Sequence, residues 1–458
     1  MRDRPRVRMA PSPTGYVHLG SARTMLYNVL FARAQGGRVV LRIDDTDLGR
    51  SEPEYEQAIF DGFHWLGLDW DEGPDVGGPH GPYRQSERLD LYREHAVRLL
   101  QSGAAYRCFC TPEELAAERA EAERRRRPYR YSRRCLVDPP RYRQEFAVRL
   151  RVPEGETTFT DLVRGEIRVE NATIGDPVIV KSNGWPTYNF ASPVDDALME
   201  ITHVFRGEEH LPNTPVQLMI LDALGYRRPQ ALIHLPVIVG KDRKKLSKRH
   251  HPEVRLGLYQ ELGFLPEALV NYLALLGWNP GTDQEIFSFE ELVRAFDVSR
   301  VQRASAMFDW DKLEWINGQY IRRLSDRELA DRLRPYLADL PEETVTAAAP
   351  ALKERLPYLG RASELLAYLR TPPAPPELDP EQREMVRAAR ERLEEVDWAP
   401  GPVESALEEL RRERGWSRGR LYTPIREAVA GRVSPPLHYT LALLPRDEAL
   451  ARLRRAAG

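Results

Sequence analysis

The stretch Arg6-Val7-Arg8-Met9-Ala10-Pro11-Ser12-Pro13-Thr14-Gly15-Tyr16-Val17-His18-Leu19-Gly20-Ser21 decides how the chain is read. Arg6 to Ala10 predicts a short strand. From Ser21 to Ala34 the apolar residues Ala22, Met25, Leu26, Val29 and Leu30 recur at helical spacing, which predicts an amphipathic helix. Gly36-Gly37 supplies its stop, and Val39-Val40-Leu41-Arg42-Ile43 is a compact apolar run beyond it. Strand, helix and strand in that order open a parallel α/β sheet. An imidazole at His18 and a glycine at position 20, both at the strand-to-helix turn, suit a nucleotide phosphate held at a helix N-terminus. A lone His-x-Gly is otherwise a loop histidine near a helix start.

Working outward, Tyr55 to Leu66 and Leu89 to Leu100 predict helices on either side of a Gly/Pro-rich boundary from Gly73 to Pro82. From there to about Asn183 the β-α rhythm is lost. That segment carries all three cysteines, an arginine run at 124–127 and a strand-like Phe146 to Val152, and it reads as an insertion. The rhythm resumes at Tyr188 to Ala197, Val204-Phe205-Arg206, a helix from Asn213 to Leu224 and a strand at Val237-Ile238-Val239. Lys245-Leu246-Ser247-Lys248-Arg249 follows, placing two ammonium groups on one loop where they suit the charge of a departing pyrophosphate. With Lys241, Arg243 and Lys244 beside it, the same loop also reads as a solvated basic turn. Beyond Leu262 the pattern is helical: Pro266 to Leu276, Phe289 to Ala295, Asp311 to Ile321 and Asp326 to Tyr336, with a Pro-rich joint at 371–376.

A chain of 458 residues implies three to five domains at about 100–200 residues each. No run approaches the roughly 18 apolar residues of a membrane span, and Met1-Arg2-Asp3-Arg4-Pro5 is not an apolar signal region, so a cytoplasmic location is expected. Three cysteines are too few for a disulfide framework in a chain of this size. A net charge of −2 gives no global nucleic-acid signal, so any RNA surface must be local.

Arg8 to Gly20, taken with Arg42-Ile43-Asp44-Asp45-Thr46-Asp47 and the lysine loop, resembles the paired signatures of the class I aminoacyl-tRNA synthetases, and specifically the bacterial glutamyl-tRNA synthetase family. Similar phrases recur at Gly73-Pro74 through Tyr83-Arg84-Gln85-Ser86, at Tyr188-Asn189-Phe190 with Val194-Asp195-Asp196, at Thr202 through His210 and at Gly263 through Leu269. The resemblance covers roughly 1–325 by motif and the remainder by length and helicity. It implies a multidomain fold: an α/β Rossmann-type catalytic core with an α+β insertion, a helical stem-contact region and all-α anticodon-binding C-terminal domains. The expected division is 1–80 with 186–240 (catalytic), 81–185 (acceptor-end insertion), 241–322 (stem contact with the lysine loop), 323–375 and 376–458 (two helical anticodon-binding subdomains).

Glutamate carries two carboxylates and one ammonium, so its site needs two cationic or hydrogen-bonding clamps and one anion. By resemblance, Arg8 and Tyr188 hold the side-chain carboxylate, Arg206 the α-carboxylate and Asp44 the α-amino group, with Ala10, Ser12 and Ser192 lining the pocket. Outside that context Arg8 and Arg206 read as salt-bridging residues of a surface or sheet edge. The family more often has glutamate at the position of Asp44 and asparagine at that of Ser192; one methylene less at Asp44 shortens the reach by roughly 1.5 Å. Attack on the α-phosphate needs no general base, because the glutamate carboxylate is already ionised near neutral pH. It needs in-line positioning and neutralisation of pyrophosphate. The resemblance assigns these to His18, Gly20, Lys245 and Lys248 with Mg2+, and adds Ser247 to the ATP contacts.

Cys108, Cys110, Tyr131 and Cys135 resemble a zinc knuckle of some family members, a tetrahedral Zn2+ site of three thiolates and one oxygen. Other members carry a histidine where Val137 stands. The arginines at 124–127 read equally as phosphate contacts or as a solvated face alternating with Glu118, Glu121 and Glu123. The resemblance places Arg355 at the last anticodon base. The expected substrates are L-glutamate, ATP and tRNA(Glu), with tRNA bound before activation and the protein a monomer. Charging of tRNA(Gln) as well, or a catalytically silent tRNA-binding paralogue, are the alternatives.

Overall fold

A computed structural model describes residues 4–47, 49–140, 143–246 and 252–458. The chain forms two compact units, residues 1–257 with 270–309, and residues 258–269 with 310–458.

In the first unit, strands β1 (Arg6–Met9), β2 (Arg38–Leu41), β3 (Ala105–Cys108), β4 (Ala147–Leu150), β5 (Glu156–Asp161), β6 (Gly165–Glu170), β7 (Val178–Val180), β8 (His203–Gly207), β9 (Ala231–Leu235), β10 (Ile238–Val239) and β11 (Ala306–Met307) make three sheets. The largest has the order β2-β1-β8-β9-β5-β6. It is parallel from β2 through β5, with β6 antiparallel at the edge. Val7, Met9, Val39, Val40 and Leu41 are buried, as expected of a parallel sheet covered on both faces.

Helix α1 (Leu19–Ala34) connects β1 to β2. Its periodicity predicts one apolar face, yet it is buried on every side from Ala22 to Ala32. A second layer covers its polar side: Arg23 Nη1 donates to the Leu276 carbonyl at 3.1 Å and the Tyr27 hydroxyl to the Ala274 carbonyl at 3.1 Å. Arg23 and Asn28 are therefore interior residues, whose Nη and Nδ2 groups donate to backbone oxygens.

The segment read as an insertion splits in two. β3, β4 and β7 form a separate antiparallel sheet, whose Val148, Leu150 and Ile179 share a core with Tyr92, Leu99, Phe190 and Ile220. The β5–β6 hairpin instead joins the main sheet, where Asp161 is in register with Leu232. A second strand was also not anticipated. The apolar run at 237–239 predicts the strand before the lysine loop; the five-residue, fully buried β9 precedes it, and Ile238–Val239 pairs with β11, with Val239 also bridging Lys245.

The second unit contains no strand among its described residues. Its helices include Trp310–Arg323, Asp326–Leu333, Glu342–Lys353, Pro380–Leu393, Pro400–Glu413, Arg418–Ala430 and Arg446–Ala457. Ser325 with Glu328 and Asp379 with Gln382 form capping boxes, which satisfy orphan N–H groups at two helix starts. The Pro-rich joint is irregular, because proline offers no N–H to continue a helix. Arg452 is buried and is held by the carbonyls of Tyr368 and Val429, at 3.0 and 2.6 Å.

Candidate active site

After β1 the chain crosses the C-terminal ends of the sheet strands and enters α1 at His18. Ligands of open α/β sheets bind at this edge. A cavity of about 770 Å³ opens there, and Arg8, Ala10, Ser12, His18, Gly20, Asp44, Tyr188, Arg206 and Lys245 all line it. Basic Arg8, Arg23, Arg50, Lys181, Arg206 and Lys245 outnumber Asp44, Asp47 and Glu209 on its wall, so the cavity favours an anionic ligand.

His18 is the N-cap of α1. Its Nδ1 accepts from the Ser21 backbone N–H at 3.1 Å, so the neutral ring carries its proton on Nε2, 3.1 Å from Ser21 Oγ. The imidazole and the helix terminus thus present donors to the same cavity. Gly20 has a steric reason: a Cβ there would lie 3.1 Å from His18 Nδ1 and 3.2 Å from Cε1.

Behind the cavity lies a buried network the sequence reading did not anticipate. Arg42, fully buried, holds Asp44 through Nε at 2.7 Å and Nη2 at 3.2 Å, and Asp196 through Nη1 at 2.7 Å. Burial works against its charge, but Asp44, Asp196 and Asp195 more than offset this and keep it protonated. Asp196 in turn accepts from Arg8 Nε at 3.1 Å, while Arg8 Nη1 donates to the Phe205 carbonyl at 3.0 Å. Asp195 accepts from Arg88 Nε at 2.7 Å and the Tyr92 hydroxyl at 2.7 Å. Ser192 does not line the cavity; it is buried and accepts from Arg42 Nη2 at 3.2 Å. Burial pushes the Asp44 carboxyl up to about 6, with Arg42 pulling the other way.

On the opposite wall Arg206 donates to His234 Nε2, Gln217 Oε1, Thr214 Oγ1 and, at 3.3 Å, Tyr188 Oη. His210 faces the Tyr188 ring at a centroid distance of 5.2 Å; burial, reinforced by Arg206, lowers its pKa to about 4, so it is neutral at pH 7. Lys245 is exposed and paired with Glu209 at 2.9 Å. Ser247 and Lys248 lie outside the described residues.

Residues 5–315 match the family profile described as tRNA synthetases class I (E and Q), catalytic domain, and 328–457 match that of an anticodon binding domain. A glutamate–tRNA ligase of Acidothermus cellulolyticus is 47% identical, covering 99% of this chain and 95% of the relative. One of Symbiobacterium thermophilum is 44% identical over 98% of both. The chain belongs to the class I glutamyl-tRNA synthetase family. Among solved structures, a glutamate tRNA ligase of Elizabethkingia meningosepticum, crystallised with its amino acid, superposes on this synthetase with a TM-score of 0.89 at 32% identity, covering 99% of each chain.

Away from the pocket, the Sγ atoms of Cys108, Cys110 and Cys135 lie within 4.8 Å of one another, and the Tyr131 hydroxyl is 3.5 Å from Cys108 and 3.2 Å from Cys110. Sulfurs bound to one tetrahedral zinc at about 2.3 Å sit roughly 3.8 Å apart, so the donor set fits that ion. Burial raises the Cys108 thiol, but hydrogen bonds from Tyr131 and Arg149 outweigh it and hold the pKa below its ordinary value, whereas burial holds Cys110 up at about 11 against Arg134, whose Nε lies 3.1 Å from its Sγ. In the second unit Arg355 is exposed, follows the Glu342–Lys353 helix and donates to the Ser434 carbonyl at 3.3 Å.

The residues to which the sequence assigns no role are Arg42, Asp196, Asp161, His234 and Glu209. Arg42, Asp196 and Glu209 lie within the motifs that carry the resemblance. Nothing in their spacing marks them as partners of Arg8, Arg206 or Lys245.

Proposed function

We propose that the chain ligates L-glutamate to tRNA(Glu) in two steps within this cavity. The observation that carries the reading is the convergence of Arg8, Asp44 and Arg206 with the His18 helix terminus around one cavity. Arg8 with Tyr188 and, separately, Arg206 meet the two carboxylates, and Asp44 meets the ammonium. An α-carboxylate oxygen attacks the α-phosphorus of ATP in line, and the bond from that phosphorus to the α,β-bridging oxygen breaks, so that pyrophosphate leaves with the bonding pair and glutamyl adenylate is formed. His18 Nε2–H and the N-terminus of α1 stabilise charge on the α-phosphate, while Gly20 leaves room for the adenine. Lys245 leaves Glu209 to follow the departing pyrophosphate, joined by Lys248; magnesium, if bound with the nucleotide, would add to the neutralisation of that charge. The 2′-hydroxyl of the terminal adenosine then attacks the activated carbonyl carbon, AMP leaves with the bonding pair, and the hydroxyl proton passes to solvent or phosphate.

The catalytic domain in this reading comprises 1–80 and 186–240. The 81–185 segment offers its three-stranded sheet to the acceptor end and returns one hairpin to the catalytic sheet. Cys108, Cys110, Cys135 and Tyr131 hold a structural zinc that ties the start of this segment together. Residues 241–322 contact the stem, 323–375 and 376–458 the anticodon, with Arg355 at its last base. By family resemblance the protein works as a cytoplasmic monomer. The experiment is charging of purified tRNA(Glu) and tRNA(Gln) with labelled glutamate. Transfer to tRNA(Glu) alone supports the reading, transfer to both makes the enzyme non-discriminating, and transfer to neither leaves the silent paralogue.

A further inference from the structure

Arg206 has five N–H groups, is buried in the wall of the cavity, and is almost fully committed. Nη1 donates to Gln217 Oε1 at 2.6 Å and to Tyr188 Oη at 3.3 Å, Nη2 to Thr214 Oγ1 at 2.7 Å, and Nε to His234 Nε2 at 2.9 Å. Among the described residues this leaves one Nη2 N–H for a ligand. Its direction is set by the four bonds already made, so a rotation of the guanidinium would misplace the N–H that Arg206 offers to a ligand.

The Nε bond puts a condition on His234. Nε2 accepts only if it carries no proton, which requires the neutral imidazole with hydrogen on Nδ1. Nδ1 lies 2.7 Å from Asp161 Oδ2, and His234 and Asp161 are both essentially unexposed. Asp161 has no freedom to turn: its Oδ1 accepts from the backbone N–H groups of Val163 at 2.9 Å and Arg164 at 2.8 Å, and its Oδ2 from that of His234 at 3.0 Å. Burial, reinforced by the neighbouring Arg206, holds the imidazole below its ordinary pKa against the pull of Asp161. The Thr214 hydroxyl, 3.2 Å from Nε2, receives Arg206 Nη2 and completes the same corner.

We propose that His234 is a positioning residue for glutamate binding: Asp161 fixes its tautomer, and its Nε2 lone pair fixes the Arg206 guanidinium that meets a substrate carboxylate. The chain of contacts runs from the β5–β6 hairpin through β9 to β8, so a segment outside the motif-bearing core sets the geometry of the amino-acid clamp. This rests on the reading of Arg206 as a carboxylate clamp.

The test is steady-state aminoacylation by the full-length enzyme, with KM determined separately for glutamate and ATP. His234→Phe keeps the ring and removes both nitrogens. It is expected to raise the glutamate KM by about tenfold or more and leave the ATP KM within about twofold, the scale on which lost support of a binding group is felt. His234→Gln offers a carbonyl oxygen to Arg206 and an amide to Asp161, and is expected to bring the glutamate KM back to within about threefold of wild type. A glutamate KM unchanged in His234→Phe, or glutamate and ATP constants that rise together without recovery in His234→Gln, overturns the proposal. Arg206→Ala separates the two claims: if it leaves the glutamate KM unchanged, the clamp reading itself fails. Should His234→Phe not fold, long-range 15N–1H spectra of histidine-labelled wild-type protein at pH 7 decide. A neutral His234 protonated on Nδ1 is expected, and a proton on Nε2 refutes the arrangement.

Discussion

Replacement of Arg42 by methionine isolates the energetics of the network behind the active-site cavity. The guanidinium has no solvent exposure and donates twice to Asp44, once to Asp196 and once to Ser192, with Asp195 at 3.7 Å. Without it, Asp196 retains Arg8 and Asp195 retains Arg88, but Asp44 loses the cation that holds it. Breaking a buried ion pair by removing one partner destabilises by about 3–5 kcal/mol, which is a third or more of the stability of many domains. Part of that loss depends on pH with a definite sign. Asp44 already has a folded-state pKa pushed above its ordinary value, to about 6, so its ionisation opposes folding as pH rises towards 6; loss of Arg42 moves that pKa higher still. The deficit of Arg42→Met is therefore largest near pH 8 and shrinks towards pH 5, where the stranded carboxyl is protonated. Arg42→Lys keeps the charge but lacks the planar fork that spans Asp44 and Asp196, and should fall between the two. Urea unfolding of the three proteins at pH 8 and pH 5, following the transition of the first unit, supplies the measurement. A loss under about 1 kcal/mol at pH 8, or a deficit that grows on acidification, refutes the reasoning.

Three further outcomes follow from the same geometry. Because Asp44 must be ionised to meet the substrate ammonium, kcat/KM for glutamate should fall about tenfold per pH unit below about 6; the same limb in Asp44→Asn would assign it to another group. Gly20→Ala should hold or slightly raise thermal stability, since alanine favours a helix by up to about 1 kcal/mol. Its Cβ, however, presses on the His18 ring, so kcat should drop by about tenfold; unchanged kcat means the imidazole tolerates displacement. Metal analysis of purified protein should find one zinc per chain, lost in Cys135→Ala with increased hydrogen exchange around β3; absence of stoichiometric zinc in wild type removes that site.

The features legible in the sequence are those written locally. The β1–α1–β2 unit announces itself through 3.6-residue periodicity and paired glycines, and Arg8, Asp44, His18 and Arg206 sit at or just beyond element ends, where motif and structure coincide. The β5–β6 hairpin was hidden because its inward residues, Thr157, Phe159 and Asp161, are mostly polar. Asp161 can be interior because His234, more than seventy residues away, donates its Nδ1–H and its backbone N–H to the carboxylate, alongside the N–H groups of Val163 and Arg164. Ser192 illustrates the converse. It shares a helix face with Tyr188, one turn away, but that turn carries it past the cavity rim into the interior, where it meets Arg42. Periodicity shows that α1 has an apolar face, whereas the cover on its other side comes from residues near 274–276.

Amino-acid-dependent exchange of pyrophosphate into ATP, run with and without tRNA(Glu), tests the central claim most directly. Exchange driven by L-glutamate, with tRNA present as the family resemblance implies, and lost in His18→Ala and Arg206→Ala, is the predicted result. No exchange with glutamate under either condition, or equal exchange with an uncharged amino acid of similar size, contradicts it.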